Sequence, residues 1–264
     1  MTAAEAVFDP PSTTVGLGRV LKRAGAQALA IRNSGELMIE TKRNFADLVT
    51  HADKFVEFMI TAHIVARYPG HGICGEEGVN VASQSGYTWY IDPIDGTTNF
   101  AHGMDLFGIS AGLWKDGNGV LGAMYFPALG KYARAIAGVG AWVNDASVRL
   151  GGKERKLNQS LIAAGLAEGS KHLYAPLRAR THNVLVGGSF TGEVLWLLEG
   201  KIDAYLHTGA TQFDLAAASI IVEAAGGTVI GIDEDRIDIT KKNISIILAR
   251  TPGLAHEIRD FFKQ

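Results

Sequence analysis

A layered α/β fold follows from three features of the sequence: two helical stripes ahead of residue 70, short strands between tight turns up to about residue 150, and strand–helix alternation beyond it. Leu17, Val20, Leu21, Ala24, Ala28 and Ile31 fall near one face of a first helix. Phe55, Phe58, Met59, Ala62, Val65 and Ala66 recur at helical spacing in a second helix, which ends before Pro69-Gly70 and is expected to lay that stripe on a sheet. The sheet is supplied by Thr88–Ile91, Leu106–Leu113, Val120–Phe126, Tyr132–Ile136 and Ala141–Val143. These runs are rich in aromatic and β-branched residues and are separated by turns such as Lys115-Asp116-Gly117-Asn118-Gly119, the pattern of an antiparallel meander.

After Gly151-Gly152 the period changes again. Strands at Leu161–Gly165, Val184–Val186, Ile202–Leu206 and Ile244–Leu248 alternate with helices. Of these helices, one carries Phe190, Val194, Leu197 and Leu198 inward, one carries Phe213, Ala217, Ile220, Ile221 and Ala224, and a short one ends the chain. Residues 1–14, with Asp9-Pro10-Pro11 and no sustained pattern, read as an N-terminal arm. Residues 15–150 read as an N-terminal lobe of two helices on an antiparallel sheet, and 151–264 as a C-terminal α/β lobe abutting it.

The 264 residues carry 25 Lys+Arg against 27 Asp+Glu, a net charge of −2, which excludes bulk attraction of nucleic acid and leaves small-molecule chemistry open. With 47% hydrophobic residues a sizeable core is expected. The single cysteine, Cys74, excludes an intrachain disulfide framework and fits a reducing compartment. No secretory signal or membrane span is visible, so a cytoplasmic location and no membrane partner are expected.

The chemistry concentrates in Trp89-Tyr90-Ile91-Asp92-Pro93-Ile94-Asp95-Gly96-Thr97-Thr98-Asn99-Phe100. An apolar strand delivers two aspartates into a turn, and a helix opens at Gly96-Thr97-Thr98; Pro93 ends ladder pairing and Gly96 permits close approach. Two carboxylates so placed repel unless a divalent cation sits between them, and backbone N–H groups at a helix start suit a phosphate. Hard oxygen ligands beside such a cradle imply Mg²⁺ and a small phosphorylated substrate. The same residues also make an ordinary helix-capping turn.

Gly75-Glu76-Glu77 upstream offers one acid to Asp92 and Asp95 and the other to a second ligand or water, or else forms a surface loop. Asp214 opens a later helix, where it either joins the site or offsets the helix dipole. Thr50-x-x-Asp53 has the form of a capping box. Gly16-Leu17-Gly18-Arg19 follows no strand, no histidine pair has zinc spacing, and Cys74 has no partner base.

Taken together, the Gly-Glu-Glu at 75–77, the Asp92–Phe100 stretch, Phe213-Asp214-Leu215-Ala216-Ala217-Ala218 with Glu223-Ala224-Ala225-Gly226-Gly227, and Asp47-Leu48-Val49-Thr50 with Asp53 resemble the inositol monophosphatase family in order and spacing. The resemblance covers roughly residues 15 to 250. It implies the αβαβα five-layer sandwich of the lithium-sensitive sugar phosphatases, two or three Mg²⁺ ions, inhibition by Li⁺ and a homodimer. It further implies metal ligands at Glu76, Asp92, the Ile94 carbonyl, Asp95 and Asp214. Thr97, with Glu76 or Asp53 behind it, would orient the attacking water, and N–H groups of Gly96 and Thr97 would hold phosphate. Direct attack by hydroxide would invert configuration at phosphorus.

Substrate contacts implied by the resemblance include Asp95, Gly188, Ser189, Phe190, His207 and Asp214. Four departures stand out. Phe213-Asp214-Leu215-Ala216-Ala217-Ala218 replaces the usual Trp-Asp-x-Ala-Ala-Gly, and the span from Ala167 to Val184 is shorter than usual. His207 stands where inositol phosphatases commonly place Glu, and Phe190 is bulkier than the usual Ala. Inositol monophosphate or a related polyol phosphate is the expected substrate. Thr97-Thr98-Asn99-Phe100 favours it over relatives acting on fructose 1,6-bisphosphate, histidinol phosphate or 3′-phosphoadenosine 5′-phosphate. A non-catalytic metal-binding regulator of the same fold is the alternative of a different class.

Overall fold

The computed structural model describes residues 8–35, 38–41 and 48–263. The chain opens with α1 (Pro10–Asn33), β1 (Ile39–Thr41), β2 (Leu48–Thr50) and α2 (His51–Arg67), followed by β3 (Gly72–Gly75), β4 (Asn80–Val81), β5 (Tyr87–Asp95) and α3 (Thr97–Ala101). A meander continues through β6 (Gly108–Lys115), β7 (Asn118–Phe126), β8 (Lys131–Ile136), β9 (Gly140–Val143) and β10 (Ala146–Val148). Next come β11 (Leu161–Leu166), α4 (Tyr174–Arg180), β12 (Asn183–Leu185), α5 (Phe190–Leu198), β13 (Ala204–Ala210) and α6 (Gln212–Ala224). The last elements are β14 (Thr228–Gly231), β15 (Ile244–Ala249) and α7 (Pro252–Phe262).

Strands β10-β9-β8-β7-β6-β5-β3-β4 form an eight-stranded sheet, antiparallel except where β3 runs parallel to β5. Strands β12-β11-β13-β15-β14 form a five-stranded sheet in which β15 is antiparallel to both neighbours. One apolar core joins α1 and α2 to the larger sheet, a second encloses α5 and α6 between the sheets, and a third seals α7 on the smaller sheet. The layers therefore run αβαβα, as expected.

Two local expectations fail for physical reasons. The first helix starts at Pro10, inside the segment expected as an arm, because the Asp9 side chain accepts from Ser12 N at 3.0 Å and proline suits the first turn; residues 1–7 lie outside the described residues. In α2 the buried face is Ala52, Asp53, Val56, Glu57, Ile60 and Ile64, whereas Phe55, Phe58, Ala62, Val65 and Ala66 are exposed and Met59 is half-buried. The helix is apolar on both sides, and its inward side carries two carboxylates that a hydropathy pattern counts as outward.

Helix α6 is seated directly on the larger sheet. A Cβ at Gly112 would stand 2.4 Å from the Ala216 carbonyl carbon, and one at Gly122 would stand 2.5 Å from the Ala217 oxygen. Trp114 Nε1 donates to the Ala216 carbonyl at 2.9 Å. Backbone thus rests on backbone, and the small residues Ala216, Ala217 and Ala218 are fully buried where the helix meets the sheet. This contact fixes the height of Asp214 above β5.

Candidate active site

Strand β5 ends in Asp92 and Asp95, both buried. Gly96 caps α3 with φ +81°, and a Cβ there would meet the Ser189 Cβ at 2.8 Å, so only glycine lets the turn close against α5. Asp214 enters from the first turn of α6. Asp92, Asp95 and Asp214 each place a carboxylate oxygen within 4.8 Å of the others.

Each of these carboxyls is pushed up. Burial, with the carboxylates of Glu76, Asp95 and Asp214 nearby, holds Asp92 well above the usual carboxylate range. Burial and then Asp95 push Asp214 to about 7, against its bonds from Thr211 N at 2.7 Å and Thr211 Oγ1 at 2.8 Å. Burial also raises Asp95, although four donors oppose it: Ser189 Oγ at 2.5 Å, Thr191 Oγ1 at 2.6 Å, Thr191 N at 2.8 Å and Phe190 N at 3.0 Å.

Asp92 Oδ1 is buried with no hydrogen-bond partner. Three crowded carboxylates and one orphaned acceptor are costly unless a cation or protons answer them. An all-oxygen donor set fits a hard divalent cation, with Asp92, Asp95 and Asp214 holding it.

Glu76, expected as a ligand, is exposed and lies outside that 4.8 Å trio, yet its carboxylate acts on Asp92, Asp214 and Asp53. The Ile94 carbonyl, also expected as a ligand, accepts from Thr97 Oγ1 at 2.9 Å. Asp53 caps a helix and also lies beside Thr97. Its Oδ2 accepts from Thr50 N at 2.8 Å and Thr50 Oγ1 at 2.6 Å, completing the cap of α2, while Oδ1 lies 3.5 Å from Thr97 Oγ1. Burial raises Asp53 to about 6. Asp47, part of the same motif, lies outside the described residues.

Ser189 Oγ and Phe190 N, of residues expected as substrate contacts, donate to Asp95. Gly188, at φ +76°, brings the α5 start against Asn99, whose Nδ2 donates at 2.8 Å to both Leu106 O and Gly187 O. His207 packs on Phe190 with ring centroids 5.3 Å apart and on Tyr205 at 5.9 Å; burial lowers its imidazole to about 4, and Nδ1 has no hydrogen-bond partner. Gly165 makes the room, since a Cβ there would fall 2.1 Å from His207 Cδ2.

Sequence reasoning passed over two supports. Glu57 is buried one helical turn after Asp53 and accepts from Glu77 N at 2.8 Å and Val79 N at 3.0 Å, holding the loop that carries Glu76. Its i, i+4 spacing from Asp53 was the available signal. Glu193, pushed to about 7 by burial, accepts from Gly187 N and bonds Tyr205. Cys74 Sγ accepts from Gln212 Nε2 at 3.2 Å, and burial raises the thiol, which suits an inert packing role.

The sequence profile of the inositol monophosphatase family matches residues 13–260. An inositol-1-monophosphatase of Bacillus subtilis is 31% identical over 242 residues, covering 89% of this chain and 90% of that protein. Inositol monophosphatase 2 of Homo sapiens is 33% identical over 217 residues, covering 77% and 75%. Among solved structures, the extragenic suppressor protein suhB from Bartonella henselae superposes with TM-score 0.88 at 25% identity, covering 96% of this chain and 99% of that one. An IMPase of Thermotoga maritima gives 0.83 at 27% identity, covering 93% and 94%. The acid cluster, the five layers and these likenesses agree: the chain belongs to the inositol monophosphatase family, phosphoric monoester hydrolases that depend on metal.

Proposed function

We propose that the chain hydrolyses inositol monophosphate or a related polyol phosphate, using Mg²⁺, by direct attack of water on phosphorus. The observation that carries this reading is the Asp92–Asp95–Asp214 group, two of its acids buried and the third half-buried, with Thr97 two residues beyond Asp95 and bonded toward Asp53. Mg²⁺, when bound to those carboxylates, supplies charge neutralisation for phosphate and acidifies water. Glu76 and the Ile94 carbonyl complete the proposed ligand set. Li⁺ inhibition and a count of two or three ions are proposed with it.

The chain's own part is positioning and proton transfer. N–H groups of Gly96 and Thr97 at the start of α3 would hold the phosphoryl oxygens. In this relay the Thr97 hydroxyl proton turns from the Ile94 carbonyl, where it sits at 2.9 Å, to Asp53 Oδ1 at 3.5 Å, so that Oγ1 takes a proton from the attacking water as Asp53 receives the hydroxyl's own. A carboxyl near 6 is a better base than an ordinary aspartate. Asp95, fixed by four donors, cannot swing when charge develops.

Two lobes meeting near residue 150, a homodimer and a cytoplasmic location are proposed beside this reading; the lone Cys74 supports the last. No described helix is long and apolar enough to cross a membrane. Phosphate release from a panel of monoesters, with and without Mg²⁺, for the parent and Asp92→Asn, tests the function. Turnover that needs Mg²⁺ and vanishes in the variant supports it. A folded parent that releases no phosphate from any ester defeats it.

A further inference from the structure

The outer helical layer has a character that the phosphatase site does not use. Helices α1 and α2 lie side by side, and between them runs a groove of about 970 Å³. Val15, Phe58, Met59 and Ala62 give it an apolar lining, and Phe58 is 66% exposed. Phe55 and Val65 extend the apolar strip along α2. Apolar side chains exposed along one helix face beside a charged rim are the arrangement of a contact surface.

The rim of the groove is one-signed. Arg19, Arg23 and Arg67 line it, and none is ion-paired among the described residues. Helix α1 contains no acidic residue, and the two of α2, Asp53 and Glu57, are buried toward the site. A chain of net charge −2 thus presents a helical face without an exposed carboxylate on either helix. Charge segregated in this way selects the sign of a partner.

We propose that the α1–α2 groove docks an amphipathic helix of a partner protein, with apolar side chains seated over Phe58, Met59 and Ala62 and acidic flanks paired with Arg19, Arg23 and Arg67. A concave cleft between two helices accepts a third at the i, i+3, i+4, i+7 spacing of helix-in-groove recognition. A second copy of this chain fits poorly, since an isologous contact would set arginine against arginine. Nucleic acid would satisfy the arginines and leave the apolar lining uncovered, and a flat lipid surface would not fill a cleft.

Fluorescence anisotropy with a labelled synthetic helix, leucine on one face and glutamate on the flanks, tests this on the full chain. Expected is saturable binding that weakens with salt and falls about tenfold or more in both Phe58→Ser and the pair Arg19→Glu/Arg23→Glu. Both variants should keep parental phosphate release. Equal binding of a scrambled peptide, or undiminished binding by either variant, overturns the proposal. So does failure of the peptide to bind while phosphatidylserine vesicles or an oligouridylate bind the parent and not the variants. Self-association that Phe58→Ser abolishes would assign the groove to a second copy and overturn it as well.

Discussion

Asp53 Oδ1 lies 3.5 Å from Thr97 Oγ1 while Asp53 Oδ2 holds the cap of α2, so one carboxylate both starts a helix and faces the hydroxyl next to the acid cluster. Removing the hydroxyl should therefore separate chemistry from stability. Thr97→Ala is expected to lower kcat by about 10²-fold or more with little change in thermal midpoint, and Thr97→Ser to restore most of it. Steady-state phosphate release and calorimetry decide; an unaffected kcat removes Thr97 from the proton path.

Asp92→Asn removes a carboxyl that burial and its neighbours already oppose. Activity should be lost, yet the metal-free variant should melt at or above the parent, by up to about 2 kcal/mol, because a repelling charge is gone. Melting in chelator, read beside phosphate release, checks both halves. Clear destabilisation of the metal-free chain would mean that Asp92 supports the fold itself.

The raised acids set a pH dependence whose sign is fixed. Asp214 and Glu193, each about 7 when folded, hold protons that the unfolded chain has released, so they stabilise at low pH and lose that contribution as pH rises through 7. The buried His207, lowered to about 4, acts oppositely, but only below its unfolded value of 6.5. Between pH 6.5 and 8 the metal-free chain should lose on the order of 1 to 2 kcal/mol, and Mg²⁺ should flatten the slope. Denaturant titrations in chelator check this; stability that is flat across that window would mean that these acids are ionised in the folded chain.

Thr191 donates twice to Asp95 across the interface between α5 and β5. Thr191→Val deletes the hydroxyl bond at nearly constant volume and should cost about 1 to 3 kcal/mol and reduce Mg²⁺ affinity together. Chemical denaturation with Mg²⁺ titration of activity checks this. Loss of stability with unchanged Mg²⁺ dependence would restrict the bond to folding.

His207 and Phe190 both depart from the family's usual residues and touch each other. Introducing Glu at 207 alone buries a carboxylate against an aromatic ring, so His207→Glu should destabilise without a full switch of substrate. Phe190→Ala with His207→Glu opens space and should raise kcat/KM for inositol 1-phosphate relative to other monoesters. An unchanged ranking in the double variant would place this aromatic pair away from the substrate.

Asp92 and Asp95 were legible because one turn binds them, whereas Asp214, more than a hundred positions away, was left by its own sequence between the site and the helix dipole and joined the group only through the resemblance. Asp53 was legible only in part, since one oxygen does what its capping sequence predicts and the other does not. Glu57 and Glu193 were not legible. Glu57 acts on backbone N–H groups 20 and 22 positions further along and Glu193 turns back on Gly187 N six positions before it, and no periodic pattern in the chain marks either contact. The inward face of α2 was misread because Val56, Ile60 and Ile64 share it with Asp53 and Glu57, whereas the outward face is apolar without interruption. Strand β14, four residues with glycine at its end and before its start, was too short to signal, and only pairing with β15 defines it.

The bonds from Ser189, Phe190 and Thr191 to Asp95 span 94 to 96 positions of sequence. Such a closure is entropically late, so the meander and the segment from β11 to β13 can each gain structure before Asp95 is locked. Refolding of the enzyme should then show secondary structure first and phosphate release last. Recovered activity becomes a reporter of complete chain closure, and two fragments cut at the Gly151-Gly152 break would regain it only by associating.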